Sequence, residues 1–263
     1  MNLQAAIAFV RAKGEPVEQA RLDYLLSGEP PDPAIVRQMF AGQRMDGGWS
    51  PFWVPDYSSV DATCFRLAQA EQFGMTAKET AIRDALTFLA LRQRDDGSWE
   101  EEEHVAELTP PWATPDNLAA RLYLTANCGF WHAAFMDVQT NASRAADYLQ
   151  KHLGDDGQLP TFLHAHWLAA GLWYRLRRQE AKRAFNYLER QLPALPASNL
   201  AWLLSTLLLA GTPPSEFIIR QAVSLLEQHQ EQDGRWASED GSERDVHATL
   251  EVLHILRLCN RFA

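Results

Sequence analysis

The chain has 263 residues, 46% of them hydrophobic, and a formal charge of −10 at neutral pH; that is enough to bury a substantial core and too acidic for nucleic acid to be the expected partner. Its three cysteines, Cys64, Cys128 and Cys259, are odd in number and widely spaced, so no disulfide framework is expected. The opening segment is too short and too mixed for a signal peptide or a spanning helix, which makes the cytoplasm the expected compartment.

Leu3, Ala6, Ile7 and Val10 recur at helical spacing and predict a helix over 2–13, stopped by Gly14. A second is expected over 16–27. Asp32-Pro33, an N-cap followed by a first-turn proline, opens a third that runs to Gln43. There the chain reads Gln43-Arg-Met-Asp-Gly-Gly-Trp49, and the pattern returns as Gln93-Arg-Asp-Asp-Gly-Ser-Trp99 and Gln230-Glu-Gln-Asp-Gly-Arg-Trp236. Leu153-Gly-Asp-Asp-Gly-Gln-Leu159 is a weaker copy and Gln191-Leu-Pro-Ala-Leu-Pro a more eroded one. The chain is therefore an internal repeat. Within each copy Asp-Gly supplies the turn, Trp covers the end of the helix it follows, and Gln bonds free backbone groups or the neighbouring repeat. These residues are structural mortar and are not placed in an active site.

Between the copies, Ser58 opens a helix reaching about Phe73, and a capping box of Thr76 with Glu79 starts the next, whose Ile82, Leu86 and Leu89 form its inward stripe. The acidic run Glu100 to Glu103 and the proline-rich stretch to Pro115 read as a solvated loop, with a lid as the alternative. A helix follows from near Asp116, and the aromatic stretch Cys128 to Met136 reads as a segment beyond that helix, covering a cavity mouth or touching another surface. Further helices are expected over 140–153, from Phe162, over 179–191 and 197–210, from Thr212-Pro-Pro-Ser to Gln230, and from Asp245 to about Cys259.

About twelve helices result, alternating between one kind with a charged outer face and another that is apolar around most of its circumference. A helix apolar all round is buried on all sides. Six outer and six inner helices closing on themselves make an all-α (α/α)6 toroid, expected as one domain over 1–263. The inner-helix starts would then share one level. Val60-Asp61-Ala62-Thr63 aligns with Val246-His247-Ala248-Thr249, and Asp116, His164 or His166, and Asn199 are read as the matching positions of other repeats. Capping explains Asp61, Asp116 and Asn199, but histidine is not a preferred cap, so His164, His166 and His247 are left over. Phe65, Trp112, Phe162, Trp167 and Trp202 are candidate liners of a central cavity, with core packing as the alternative.

The Gln-x-x-x-Gly-x-Trp repeat resembles the QW motif of the squalene-hopene cyclase and oxidosqualene cyclase family, and the toroid resembles the β-subunits of protein prenyltransferases. The resemblance spans essentially the whole chain. It implies an enzyme acting on an isoprenoid or other long apolar substrate through acid-initiated carbocation cyclisation or isomerisation. In the cyclases the acid is the middle Asp of an Asp-x-Asp-Asp-Thr stretch; Ser59-Val-Asp61-Ala62-Thr63 matches it at Asp61, with Ser59 and Ala62 in place of the flanking carboxylates. Asp61 or Asp116 is then the expected acid and His247 its hydrogen-bonding partner. The prenyltransferase likeness implies zinc instead, with His247 on the histidine position and His164 and His166 as the other ligands, although the Asp-x-Cys pair of that family is missing. The third reading is a non-catalytic lipid-binding or interaction barrel; a glycosidase is a weaker fourth. A peripheral membrane contact and a partner subunit are both compatible with this scheme.

Overall fold

The computed structural model describes residues 1–136 and 138–259, and the repeat decides its architecture. Among them are twelve α-helices and no named strand: α1 (Leu3–Lys13), α2 (Pro16–Ser27), α3 (Pro33–Met39), α4 (Val60–Glu71), α5 (Thr80–Arg92), α6 (Leu118–Phe135), α7 (Thr140–Gln150), α8 (Leu163–Arg175), α9 (Glu180–Gln191), α10 (Ala197–Leu209), α11 (Phe217–Gln228) and α12 (Asp245–Leu258). The all-α class is as the pattern predicts. None of the described helices is long and apolar enough to cross a membrane. The chain divides into two compact units, Met1–Met39 with Leu188–Ala263, and Phe40–Tyr187.

In each of the three Gln/Trp turns the glutamine amide ties the turn to the start of another helix. Gln43 Nε2 donates to the Gly47 carbonyl at 2.9 Å and to the Ala81 carbonyl in the first turn of α5 at 2.8 Å. Gln93 does the same with Gly97 and with Asn141 of α7, at 3.0 and 2.9 Å. Gln230 does so with Gly234 and with Asn2 at the start of α1, at 2.9 and 3.0 Å. The last turn is thus seated on the first helix of its own unit. Trp99 and Trp236 are fully buried, each indole donating to a carbonyl of the preceding helix, Leu89 and Leu226, at 2.7 Å.

The Trp backbone is held in turn by a threonine. The N–H groups of Trp49, Trp99 and Trp236 donate to Thr63, Thr125 and Thr249 Oγ1 at 3.2, 3.0 and 3.1 Å. In the weaker copy the Leu159 N–H donates to His166 Nε2 at 3.0 Å. These four contacts fix the register of α4, α6, α12 and α8 against their turns.

Three elements differ from the sequence reading. The third helix ends at Met39, and the chain reaches Gln43 through a turn. The Thr76–Glu79 box forms, the Thr76 N–H donating to Glu79 Oε2 at 3.0 Å, but it closes the turn before α5, which starts at Thr80. The stretch from Cys128 is the second half of α6, with Phe130, Trp131 and His132 buried, and not a segment beyond that helix. Gly129 lies where a Cβ would meet Ala145 Cβ at 2.7 Å and Leu172 Cδ2 at 2.9 Å, so it lets α7 and α8 approach α6.

Candidate functional site

The threonine register decides which residues are equivalent. Two positions before Thr63, Thr125 and Thr249 stand Asp61, Tyr123 and His247, and two before His166 stands His164. Tyr123, and not Asp116, is therefore the α6 counterpart of Asp61. Asp116 lies in the turn ahead of α6 with a left-handed φ of 57°, and its largely exposed side chain reaches Arg121 at 3.5 Å. The N-cap of α6 is its neighbour Asn117, which accepts from the Ala120 N–H at 3.1 Å. The long insertion between Trp99 and α6 hides this register from a reading by offsets.

Asp61, in the first turn of α4, is held by three side-chain hydrogen bonds. Its Oδ1 accepts from Tyr123 Oη at 3.1 Å and from Asn127 Nδ2 at 3.3 Å. Its Oδ2 accepts from Trp112 Nε1 at 3.1 Å. Tyr123 and Asn127 lie one turn apart on the same face of α6. Trp112 comes from a short 3-10 turn, Pro111–Ala113. Loss of solvent pushes the Asp61 pKa above the usual carboxylate range, against these three hydrogen bonds. Both lone pairs of Oδ1 are engaged, so a neutral Asp61 carries its proton on Oδ2, beside the indole.

The loop after Trp99 is exposed along much of its length, as expected, but it turns Glu101 inward to the site. Glu101 is 2% exposed. Its Oε1 accepts from Ser59 Oγ at 2.6 Å and from the Asp61 N–H at 3.2 Å. Its Oε2 accepts from Tyr57 Oη at 2.8 Å and from the Val60 N–H at 3.2 Å. Burial pushes Glu101 up to about 6, its hydrogen-bond donors pull it down, and the neighbouring Asp61 charge adds to the rise. Tyr57 is raised mainly by burial, then by the Glu101 charge. Glu101 also lines an open cleft of about 390 Å³ with Arg92, Arg94, Glu102 and Asp116. Behind Asp61, buried Cys64 and Cys128 place their sulfurs 3.6 Å apart across α4 and α6.

Of the aromatic candidates, Trp112 bonds Asp61, and Phe162 sets its ring edge-on to Tyr123 at 6.4 Å. Phe65, one turn along α4 from Asp61, is 48% exposed. Trp167 is fully buried, its ring against His164 at 5.0 Å, and belongs to the packing. Trp202 lies partly buried on α10, in the other unit. Sequence reasoning missed Glu101, Tyr123 and Asn127.

The histidines are otherwise employed. His166 accepts from the Leu159 N–H through Nε2, and its Nδ1 lies 3.2 Å from the Phe162 and Leu163 carbonyls, so both ring nitrogens serve the turn. In the unit of residues 1–39 and 188–263, His247 Nδ1 lies 3.2 Å from Arg21 Nη1. The partners of Asp61 are Trp112, Tyr123 and Asn127, where the sequence suggested His247. Among the described residues no three His, Cys, Asp or Glu side chains form a group able to hold a metal ion.

Next to His247 on α12, burial pushes Glu251 up to about 7 from 4.5, against the Arg21 charge. Burial likewise pushes His247 and His254 down to about 3. A carboxyl with a raised pKa contributes stability that is complete below its unfolded value and is lost as pH rises through the folded one. For Glu251 that window runs from 4.5 to about 7. Glu251→Gln, neutral throughout, is expected to stabilise the protein by about 2 kcal/mol at pH 8 and by little at pH 4.5. Thermal melts of both proteins at the two pH values check this; equal shifts at both would contradict it.

No family model and no curated protein matches the sequence. Solved structures share its fold, two of them along nearly the whole chain. One, a type II terpene cyclase, MstE from Scytonema in its apo form, aligns with a TM-score of 0.63 at 16% identity over 99% of this chain and 98% of its own. The other, a protein from Actinoplanes, aligns with a TM-score of 0.60 at 18% identity over 98% of each chain.

Proposed function

We propose that the protein is a terpene cyclase-like enzyme that cyclises or isomerises an isoprenoid or similarly long, apolar substrate, with Asp61 as the initiating acid. The observation that carries this reading is the Asp61 carboxyl: partly buried, raised in pKa and held by three side-chain donors, one of them the indole of the partly exposed Trp112. The shared fold with a type II terpene cyclase supports it.

In the step assigned to Asp61, the Oδ2–H bond breaks as an alkene π pair forms a new C–H bond at its less substituted carbon. The cation appears at the more substituted carbon, where the next alkene or an adjacent C–H bond supplies electrons. The sequence ends when a proton is lost to a base, and Asp61 regains its own from solvent. The hydrogen bonds of Tyr123 and Asn127 stabilise the charge left on the carboxylate, and aromatic faces stabilise the cation.

Incubation with detergent-dispersed linear polyprenols of graded length in D2O tests the proposal. An isomeric product with one non-exchangeable deuterium is the expected result. Unchanged substrate across the series would overturn it. A second reading, a lipid-binding or interaction barrel that has lost catalysis, is favoured by Ser59 and Ala62 where the cyclase pattern has carboxylates; it predicts saturable binding of the same polyprenols without product.

A further inference from the structure

Helix N-termini favour anions. The first-turn N–H groups lack intrahelical acceptors, and the aligned peptide dipoles add a partial positive charge, so a first-turn carboxyl is normally drawn towards its ionised form. Asp61 is the second residue of α4. Left to this environment, it would be a poor proton donor.

In this structure the helix end is already occupied. Glu101 takes the N–H groups of Val60 and Asp61, each at 3.2 Å, and Ser59 Oγ takes that of Ala62 at 3.1 Å. The same Ser59 hydroxyl donates onward to Glu101. None of these donors reaches the Asp61 carboxyl, whose described hydrogen bonds come from side chains of α6 and of the loop at Trp112. A second carboxylate so close to the first, in a space shielded from water, also opposes a second negative charge.

The surrounding charges do not reverse this. On α4 and α6 the facing titratable groups are Cys64, Tyr123 and Cys128, all with raised pKa values and burial as the leading cause. On the Tyr57 loop it is Tyr57, with His104 edge-on to its ring. On the cleft side the cations are matched to other carboxylates: Arg92 to Asp46 and Glu102, Arg94 and Arg121 to Glu100. Glu103 and Asp116 add further negative charge along the cleft.

We propose that Glu101 is the positioning residue that keeps Asp61 a proton donor, by occupying the anion-seeking end of α4 in its place and opposing ionisation of its neighbour. The inference rests on the acid role assigned to Asp61. It assigns a function to the carboxylate that the loop brings to a helix start lacking flanking carboxylates of its own.

Infrared titration of the full chain reads the protonated Asp61 carboxyl stretch, identified as the band missing from Asp61→Asn. In the wild type the midpoint of this band is expected to lie above the usual carboxylate range. In Glu101→Gln its midpoint is expected to fall by about one pH unit or more, a tenfold change in proton affinity, with the alkaline limb of polyprenol turnover moving equally. Glu101→Asp, which keeps the charge, is expected to retain most of the wild-type midpoint. An unmoved or raised midpoint in the Gln variant overturns the inference, since a purely structural loss would lower activity without moving the titration. If the Gln variant does not fold, the wild-type titration alone decides: a band already gone by about pH 5 overturns the inference. The infrared reading is independent of turnover, so a shifted midpoint in a protein without polyprenol activity would sustain the tuning by Glu101 and defeat the catalytic reading.

Discussion

Asp61→Asn is expected to lower turnover of a linear polyprenol by about 10³-fold or more while leaving the fold in place. The substitution is nearly isosteric. The amide oxygen can still accept from Tyr123 Oη and Asn127 Nδ2, which lie 3.1 and 3.3 Å from Oδ1. Only the Trp112 indole, 3.1 Å from Oδ2, would meet another donor, at a cost of about 1 kcal/mol for one partly exposed hydrogen bond. An amide N–H is no acid in this pH range, so the chemistry is lost and the architecture is not. Tyr123→Phe separates the parts further: it removes one donor from Oδ1 but leaves the carboxylic acid in place, and about a tenfold loss is expected. Circular dichroism establishes the fold of both variants, and product formation gives the rates. Wild-type turnover in the Asn variant would move the acid elsewhere and remove the basis for the cyclase reading.

What the sequence disclosed follows the range of the interactions involved. The twelve helices were legible because caps, prolines and apolar periodicity act within one or two turns, and the Gln/Trp turns because each copy makes the same short-range bonds. Asp61 was legible because Val60-Asp61-Ala62-Thr63 recurs as Val246-His247-Ala248-Thr249 and matches the cyclase pattern at its middle Asp. Its partners were not, since Tyr123 and Asn127 are 62 and 66 positions away and reach it only once α6 lies against α4. Glu101 looked like one member of an acidic run, and nothing in Glu100 to Glu103 says which carboxylate turns inward. Asp116 was chosen by its closeness to a predicted helix start. The contact of Thr125 with the Trp99 backbone gives the true register, with Tyr123 in the Asp61 position. That signal was present as a recurring threonine, at Thr63, Thr125 and Thr249, but the insertion before α6 changed its spacing from the tryptophan. His166 shows the same effect in another form, since it does for Leu159 what threonine does for the tryptophans.

The largest stability effect is expected where the repeat touches itself. Gly47 has φ 92°, in the left-handed region, and a Cβ built there would run into the backbone carbonyl of Asp84 in α5. Gly47→Ala is therefore expected to carry two penalties. The left-handed backbone accounts for about 1–2 kcal/mol, and separating the turn from α5 adds more by straining the Gln43 bonds to Gly47 and Ala81. A total of about 3 kcal/mol or more, or a fall in melting temperature of about 6–12 °C, is the expected result. Gly42 provides the control, because its φ is 81° but a Cβ added there would meet no atom within 4 Å. Gly42→Ala should show the backbone penalty alone, about 1–2 kcal/mol. Thermal melts of the two variants then separate backbone strain from close approach. If the two fall equally, the turn does not depend on its seat against α5, and the Asp-Gly of each repeat is only a chain reversal. If Gly47→Ala falls further by the expected margin, the glycine is needed because two repeats meet there, and the same reasoning extends to Gly234, where the last turn rests on Ala5 of α1.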